Sequence, residues 1–233
     1  MRQRRDDPPA TPITVAILLG APGAGKGTQA PLLAASLGVP VLASGDLLRA
    51  EVASGSEIGR EVDAIMRSGE LVPDDLMAHL FLARLDMDDA APGAILDGFP
   101  RTRPQARALD AALNQSGRPV DRALLIEVPI EDLVGRFAGR LICKAGGHVY
   151  NEWFKPPRVW GVCDFDGSEL VHRADDAEAT VRARMEQQLG PLHDVADYYR
   201  ERGILTPVDG LRSIEDVAAS LLEALGRPAT AAG

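Results

Sequence analysis

The chain has 233 residues, of which 45% are hydrophobic and 25% charged, enough for one large globular domain with an insertion or for two smaller ones. Its formal net charge of −9 excludes general nucleic-acid binding, which needs a basic footprint to displace counterions from phosphate, so a site for a polyanion has to be a local arginine cluster on an acidic body. No apolar run approaches the ~20 residues that span a bilayer, and only two cysteines, Cys143 and Cys163, are present.

Residues 1–12 are charged and proline-rich with no apolar stretch, which reads as a disordered extension and not as a secretory signal. A cytoplasmic protein is expected, and in a reducing compartment the two cysteines point to metal binding or inertness before a disulfide. Residues 13–19 are apolar and partly β-branched, the pattern of a strand buried on both faces in a parallel sheet. A glycine-rich turn follows, then a helix over 28–37 stopped by Gly38, with Pro31 awkward in its early turns. A short strand over 39–42 leads to Ser44, a candidate cap for a helix over 46–53. Ile58, Val62 and Ile65 mark a helix over 57–67, and Pro73 begins another that runs to Leu85. Further strands are expected over 94–96, 123–128 and 204–208, and further helices over 104–114, 130–138, 178–202 and 213–225. The helix over 178–202 carries a break at Gly190-Pro191, and Ser213-x-x-Asp216 caps the last one. Alternating strands and helices imply a parallel sheet covered on both faces.

Residues 141–173 break the alternation, with glycines, prolines, both tryptophans and both cysteines and no helical period. A structureless loop of that length does not suit a compact domain, so this segment reads as a small inserted subdomain. Trp153 and Trp160 are expected to pack inside it.

The first chemistry-bearing motif is Gly20-Ala-Pro-Gly-Ala-Gly-Lys-Gly-Thr28. It stands between a strand and a helix, the context a phosphate-binding loop requires. Glycines let backbone amides converge on phosphate oxygens, the helix N-terminus adds positive partial charge, and Lys26 brings a mobile cation. Gly27 stands where the general pattern has Ser or Thr, and the hydroxyl comes one residue later, at Thr28.

With that departure the loop resembles the phosphate loop of adenylate kinases. The resemblance continues through Ser44-Gly45-Asp46-Leu-Leu-Arg49, Asp97-Gly98-Phe99-Pro100-Arg101, Gln105, Arg136-x3-Arg140, Arg173-Ala-Asp175-Asp176 and Arg184, in family order over residues 13–225. It implies an α/β fold, a P-loop three-layer arrangement with a five-stranded parallel sheet. Two insertions are expected on a core of 13–42, 73–138 and 177–225. One is a helical AMP-binding segment over 43–72, the other a β-rich lid over 139–176, with a flexible tail after 225. The implied reaction is ATP + AMP ⇌ 2 ADP with Mg²⁺, by a monomer whose partners are ATP, AMP and ADP and neither nucleic acid nor membrane.

The roles carried over follow the chemistry. Phosphoryl transfer needs positioning and charge neutralisation, and a monophosphate acceptor needs no side-chain base. Lys26, Arg101, Arg140, Arg173 and Arg184 clamp phosphates as the catalytic set. On the ATP side stand Gly23, Ala24, Gly25, Gly27, Thr28, Arg136, Val149, Tyr150, Phe154 and Arg212. On the AMP side stand Ser44, Arg49, Glu70, Leu71, Val72, Gly98, Phe99 and Pro100, with Arg101, Arg173 and Arg184 shared. Gln105 offers adenine an acceptor and a donor. Asp97 and, more weakly, Asp46 suit Mg²⁺ through water. GTP is an alternative donor, and a nucleotide sensor without catalysis is the rival of another class; a GTPase-like switch lacks its guanine-reading Asn-Lys-x-Asp here.

Zinc-bearing lids of this family carry Cys-x2-Cys and then Cys-x2-Cys or Cys-x2-Asp. Cys143, Cys163 and Asp166 match three places, Gly146 stands at the fourth, and His148 lies two residues beyond. Three arrangements follow: structural zinc with His148 as fourth ligand, a metal-free lid held by packing, or a Cys143–Cys163 disulfide. Leu141 replaces an arginine common after Arg140.

Overall fold

The computed structural model describes residues 15–68, 72–172 and 178–227, the side chains of Ser68, Glu178 and Arg184 excepted. In chain order the first half runs β1 (Val15–Gly20), α1 (Lys26–Leu37), β2 (Val41–Ala43), α2 (Ser44–Ser54), α3 (Glu57–Ser68), α4 (Asp74–Leu85), β3 (Ala94–Asp97) and α5 (Arg103–Gln115). The second half runs β4 (Arg122–Glu127), α6 (Ile130–Ala138), β5 (Arg140–Cys143), β6 (Val149–Asn151), β7 (Leu170–Val171), α7 (Glu178–Glu201), β8 (Leu205–Asp209) and α8 (Ile214–Ala224).

Five strands form one parallel sheet in the order β2-β3-β1-β4-β8. Alternation along β1 divides the interior between its faces, because successive side chains of a strand point to opposite sides. Val15, Ile17 and Leu19 join a cluster with Phe81 of α4, Leu109 of α5 and Tyr199 of α7. Ala16 and Leu18 join a second cluster with Leu33 of α1, Leu133 and Phe137 of α6, and Leu221 of α8. The sheet is thus covered on both faces, as the alternation of elements predicts.

The inserted segment between α6 and α7 is a small antiparallel sheet, β6-β5-β7, over its own core of Leu141, Cys143, Tyr150, Cys163 and Leu170. Low helical periodicity there reflects these short strands and the turns between them.

Three local expectations need correction. The helix over 178–201 has no break at Gly190-Pro191; α7 runs through both residues. Proline costs a helix interior roughly 3 kcal/mol, but α7 is anchored in the core on both sides of its exposed middle. Val181 and Met185 lie in the second cluster and Val195, Ala196 and Tyr199 in the first, so tertiary packing overrides the local penalty. Ser44 is not a cap. β2 runs straight into α2, extended Ala43 occupies the cap position, and the Ser44 hydroxyl turns elsewhere. Pro73 is the N-cap of α4 and not its first residue. Residues 1–14, the start of the first predicted strand among them, lie outside the described set, as do 69–71, 173–177 and 228–233.

Candidate active site

Brought together at the carboxyl ends of β1, β2 and β3 are the phosphate loop, the start of α2 and the turn from Asp97 to Arg101. The loop closes with Gly23 and Gly25 in the left-handed region, at φ 81° and 107°, which lets α1 begin at Lys26. α6 packs on its outer side: a Cβ at Gly23 would lie 2.8 Å from the Phe137 ring. Lys26 Nζ donates to the carbonyls of Gly20 at 2.7 Å and Ala21 at 3.2 Å. Burial pushes this ammonium below its ordinary pKa, and Asp97 pulls it back while Arg101 adds to the lowering. Asp97, at the end of β3, is pushed the other way by its own burial; Lys26 and Arg101 oppose that rise and Asp46 adds to it. Two cations and two carboxylates therefore share one field, which suits a site for phosphates and a divalent cation.

Arg101 leans back over the turn. Its Nε donates to the Gly98 carbonyl at 2.8 Å and its Nη2 to Ser44 Oγ at 3.1 Å. Gly98, at φ 77°, allows that approach. Phe99 is buried and stacks on Phe81 with ring centres 4.6 Å apart, while Pro100 follows it, buried, on the far side of a cis peptide. Gln105 is 8% exposed and uses both ends of its carboxamide: Oε1 accepts from the Arg101 amide at 2.6 Å, and Nε2 donates to Asp74 Oδ1 at 2.6 Å. Arg49 is exposed and paired with Asp46 at 2.5 Å. Val72 is buried in the first cluster, against which Leu47, Leu48 and Ile65 also pack.

On the other side of the loop, Arg136 links three segments. Its guanidinium donates to the carbonyls of Gly23 and Ala24 at 3.2 Å and of Gly210 at 2.6 Å, and lies 5.2 Å from the centre of the Phe154 ring. Burial lowers its pKa, with Asp132 opposing. Arg140 lies over Phe137 at 4.5 Å. Val149 and Phe154 are more than half exposed, open to a ligand. Tyr150 is not: its ring is 2% exposed in the lid core, and its hydroxyl accepts from the Asp164 amide at 2.7 Å. Its part in a donor site is therefore confined to backbone. Arg212 is held on α8, 2.9 Å from Ser220 Oγ and 3.6 Å from Asp216. Glu70, Leu71, Arg173 and the side chain of Arg184 lie outside the described set; the backbone of Arg184 is on α7.

In the lid, Cys143, His148, Cys163 and Asp166 place one ligand atom each within 4.8 Å of one another. Cys143 Sγ is 3.2 Å from Asp166 Oδ2, and His148 Nδ1 is 3.3 Å from Cys163 Sγ and 3.5 Å from Asp166 Oδ2. Ligands about 2.0–2.3 Å from a tetrahedral zinc lie roughly 3.3–3.8 Å from one another, so the set fits that ion. Gly146 explains how His148 enters: a Cβ there would lie 2.4 Å from the imidazole and 2.8 Å from Asp166 Oδ2. The imidazole fills the space a side chain at position 146 would need. Both cysteines are free, so the disulfide alternative is not formed. Burial raises the Cys143 thiol, but Ser168 and the Gly146 amide outweigh it and bring the pKa to about 7. Hydrogen bonds from the Ser168 amide and hydroxyl hold Asp166 well below the usual carboxylate range. Both shifts favour the ligating forms. Trp153 and Trp160 are 59% and 65% exposed, so neither packs inside the subdomain as expected, although the Trp153 ring lies against Gly139.

Sequence reasoning missed Asp74, Ser168 and the Gly210 carbonyl. Ser168 had a faint signal, two residues after a carboxylate in a turn-rich stretch. Asp74 and Gly210 had none, since their partners are distant in the chain.

A family model for adenylate kinase matches residues 18–204. An adenylate kinase of Thermodesulfovibrio yellowstonii is 46% identical over 205 residues, covering 88% of this chain and 95% of that protein. One of Trichlorobacter lovleyi is 47% identical over 212 residues, covering 90% and 98%. One of Anaeromyxobacter dehalogenans is 46% identical over 213 residues, covering 91% and 100%. With phosphate loop, acidic strand end and arginine-bearing turn brought together at the strand ends, the chain belongs to the adenylate kinase family and is a phosphotransferase enzyme.

Proposed function

We propose that the enzyme catalyses ATP + AMP ⇌ 2 ADP with Mg²⁺ and so balances adenine nucleotide pools. The observation that carries this reading is the shared electrostatic field of Lys26, Asp97, Asp46 and Arg101 at the strand ends. Lys26 and the amides of Gly23 to Thr28 would hold the donor phosphates. Arg101, Arg140, Arg173 and Arg184 would converge on the group in flight, where charge builds on both attacking and leaving oxygens. Arg49 would exchange Asp46 for the AMP phosphate, with Ser44 and the backbone of 70–72 beside it, and Gln105 would read the base. Asp97, with Asp46, would hold Mg²⁺ through water; when bound, the ion neutralises charge on the phosphates. Arg136 and Phe154 would face the donor base.

The lid is read as a zinc subdomain with Cys143, His148, Cys163 and Asp166 as ligands. The ion would fix a small sheet whose closure excludes water, a competing phosphoryl acceptor. A monomeric, cytoplasmic enzyme is in keeping with this reading; among the described residues no helix is long and apolar enough to cross a membrane.

One observation favours a second donor. Arg136 spends its guanidinium donors on the carbonyls of Gly23, Ala24 and Gly210, and Phe154 offers only a ring face, so neither selects a base edge and GTP is the alternative to ATP. Coupled ADP-formation assays with ATP and GTP as donors test both readings. ADP from ATP and AMP is expected, falling at least about a thousandfold in Arg101→Ala; no ADP from the unsubstituted enzyme with Mg²⁺ present overturns the proposal.

A further inference from the structure

The Gln105 carboxamide is held by two partners of opposite, fixed character. The Arg101 amide can only donate, and it meets Oε1 at 2.6 Å. The Asp74 carboxylate can only accept, and it meets Nε2 at 2.6 Å. A flipped carboxamide would set its NH₂ group against a backbone N–H and its oxygen against a carboxylate, so both partners oppose the flip. The side chain is 8% exposed, which makes an unpaired polar end costly.

Each end of a carboxamide has two hydrogen-bonding positions. With one used at each end, Nε2 keeps one N–H and Oε1 keeps one lone pair. The free pair is polarised: donor at one end, acceptor at the other, in an order that Asp74 and the Arg101 amide fix. A 6-aminopurine presents N1 as acceptor beside an N6 donor. A 6-oxopurine presents N1–H as donor beside an O6 acceptor, the reverse order.

The geometry points to Asp74 as the positioning residue that makes Gln105 select 6-aminopurine over 6-oxopurine monophosphates. This rests on the proposal that Gln105 reads the acceptor base. Asp74 does not touch the nucleotide; it acts by fixing the polarity of the group that does. Its place follows from the fold. Asp74 is the first residue of α4, Gln105 lies in the first turn of α5, and the two helices pack together.

The discriminating substitution is Asp74→Asn, which keeps shape but can either accept from Nε2 or donate to a flipped Oε1. The measurement is kcat/KM for AMP and for IMP with the same donor, in unsubstituted enzyme, Asp74→Asn and Gln105→Ala. IMP is chosen because it reverses the edge without adding the 2-amino group of GMP. The ratio of the two constants is independent of the fraction of active protein, so partial misfolding does not mimic the effect. We expect the AMP-to-IMP ratio to fall about tenfold in Asp74→Asn, the scale of one charge-assisted hydrogen bond, and at least as far in Gln105→Ala. A ratio that collapses in Gln105→Ala but stays at its original value in Asp74→Asn overturns the role of Asp74 and leaves Gln105 as the reader. A ratio unchanged in Gln105→Ala overturns the reading of Gln105 and this inference with it.

Discussion

Gly98 measures how closely the acceptor side is built. At φ 77° it occupies backbone space that L side chains rarely take, and a Cβ there would lie 2.7 Å from Ser44 Oγ and 3.6 Å from Arg101 Nη2. Gly98→Ala therefore strains the turn by about 1–2 kcal/mol and displaces the two groups assigned to AMP. The expected result is a KM for AMP raised about tenfold or more, with the KM for ATP changed far less. Steady-state kinetics with each substrate varied in turn decides it, and equal changes in both constants would remove Gly98 from the acceptor side. At this scale legibility follows locality. The loop from Gly20 to Thr28 and the turn from Asp97 to Arg101 are contiguous, so their chemistry can be read from neighbours in the chain. Asp74 and Tyr150 could not be placed that way. The first gains its role from a residue 31 positions away, and the second faces inward because of which side of β6 the lid core covers.

Among the elements, the inserted subdomain was legible as a unit and its candidate ligand set only in outline. Cys143-x4-His148-x14-Cys163-x2-Asp166 names four candidates, but spacing cannot show that an imidazole folds back into the space over Gly146. A metal bound to the native and not the unfolded chain stabilises by mass action, about 2.7 kcal/mol at a hundred times its dissociation constant. For a chain of this size that is a rise of about 5–10 °C in the unfolding midpoint. Zinc near one equivalent is expected in purified protein, with a midpoint lowered by that amount after chelation. His148→Ala should lose most of the zinc and reproduce much of the shift. Zinc content unchanged in that variant would exclude His148 as a ligand, and an unchanged midpoint after chelation would favour the metal-free lid. α7 makes the complementary point. Gly190-Pro191 reads as a helix break, yet α7 continues because both ends of it are anchored in different layers of the core.

For the whole molecule, the alternation of elements dictates a covered parallel sheet, but the order β2-β3-β1-β4-β8 follows from pairings no periodicity encodes. The same holds for the tie between the acceptor side and α7. Asp110 of α5 is 3% exposed and accepts from Tyr198 Oη at 2.9 Å, Tyr199 Oη at 3.5 Å and Arg202 Nε at 3.0 Å. α5 begins at the turn that bears Arg101, and α7 carries Arg184, so this carboxylate joins the two elements proposed to converge on the phosphates. Removing it by Asp110→Ala strands two hydroxyls and is expected to cost about 2–3 kcal/mol, read as a lower midpoint in urea. Its pH dependence has a definite sign. Burial raises the Asp110 carboxyl above its ordinary pKa, against the pull of Tyr198 and Arg202. The folded state then binds the proton more tightly than the unfolded state, and the wild type gains stability as pH falls through the raised value. Asp110→Asn cannot titrate. Its stability relative to wild type is therefore expected to decline as pH is lowered from neutral through the raised value toward the ordinary carboxylate range. Urea unfolding of both proteins across that range checks the slope, and a decline in the opposite direction would mean that Arg202 and the tyrosines hold the carboxylate ionised more strongly than burial opposes it.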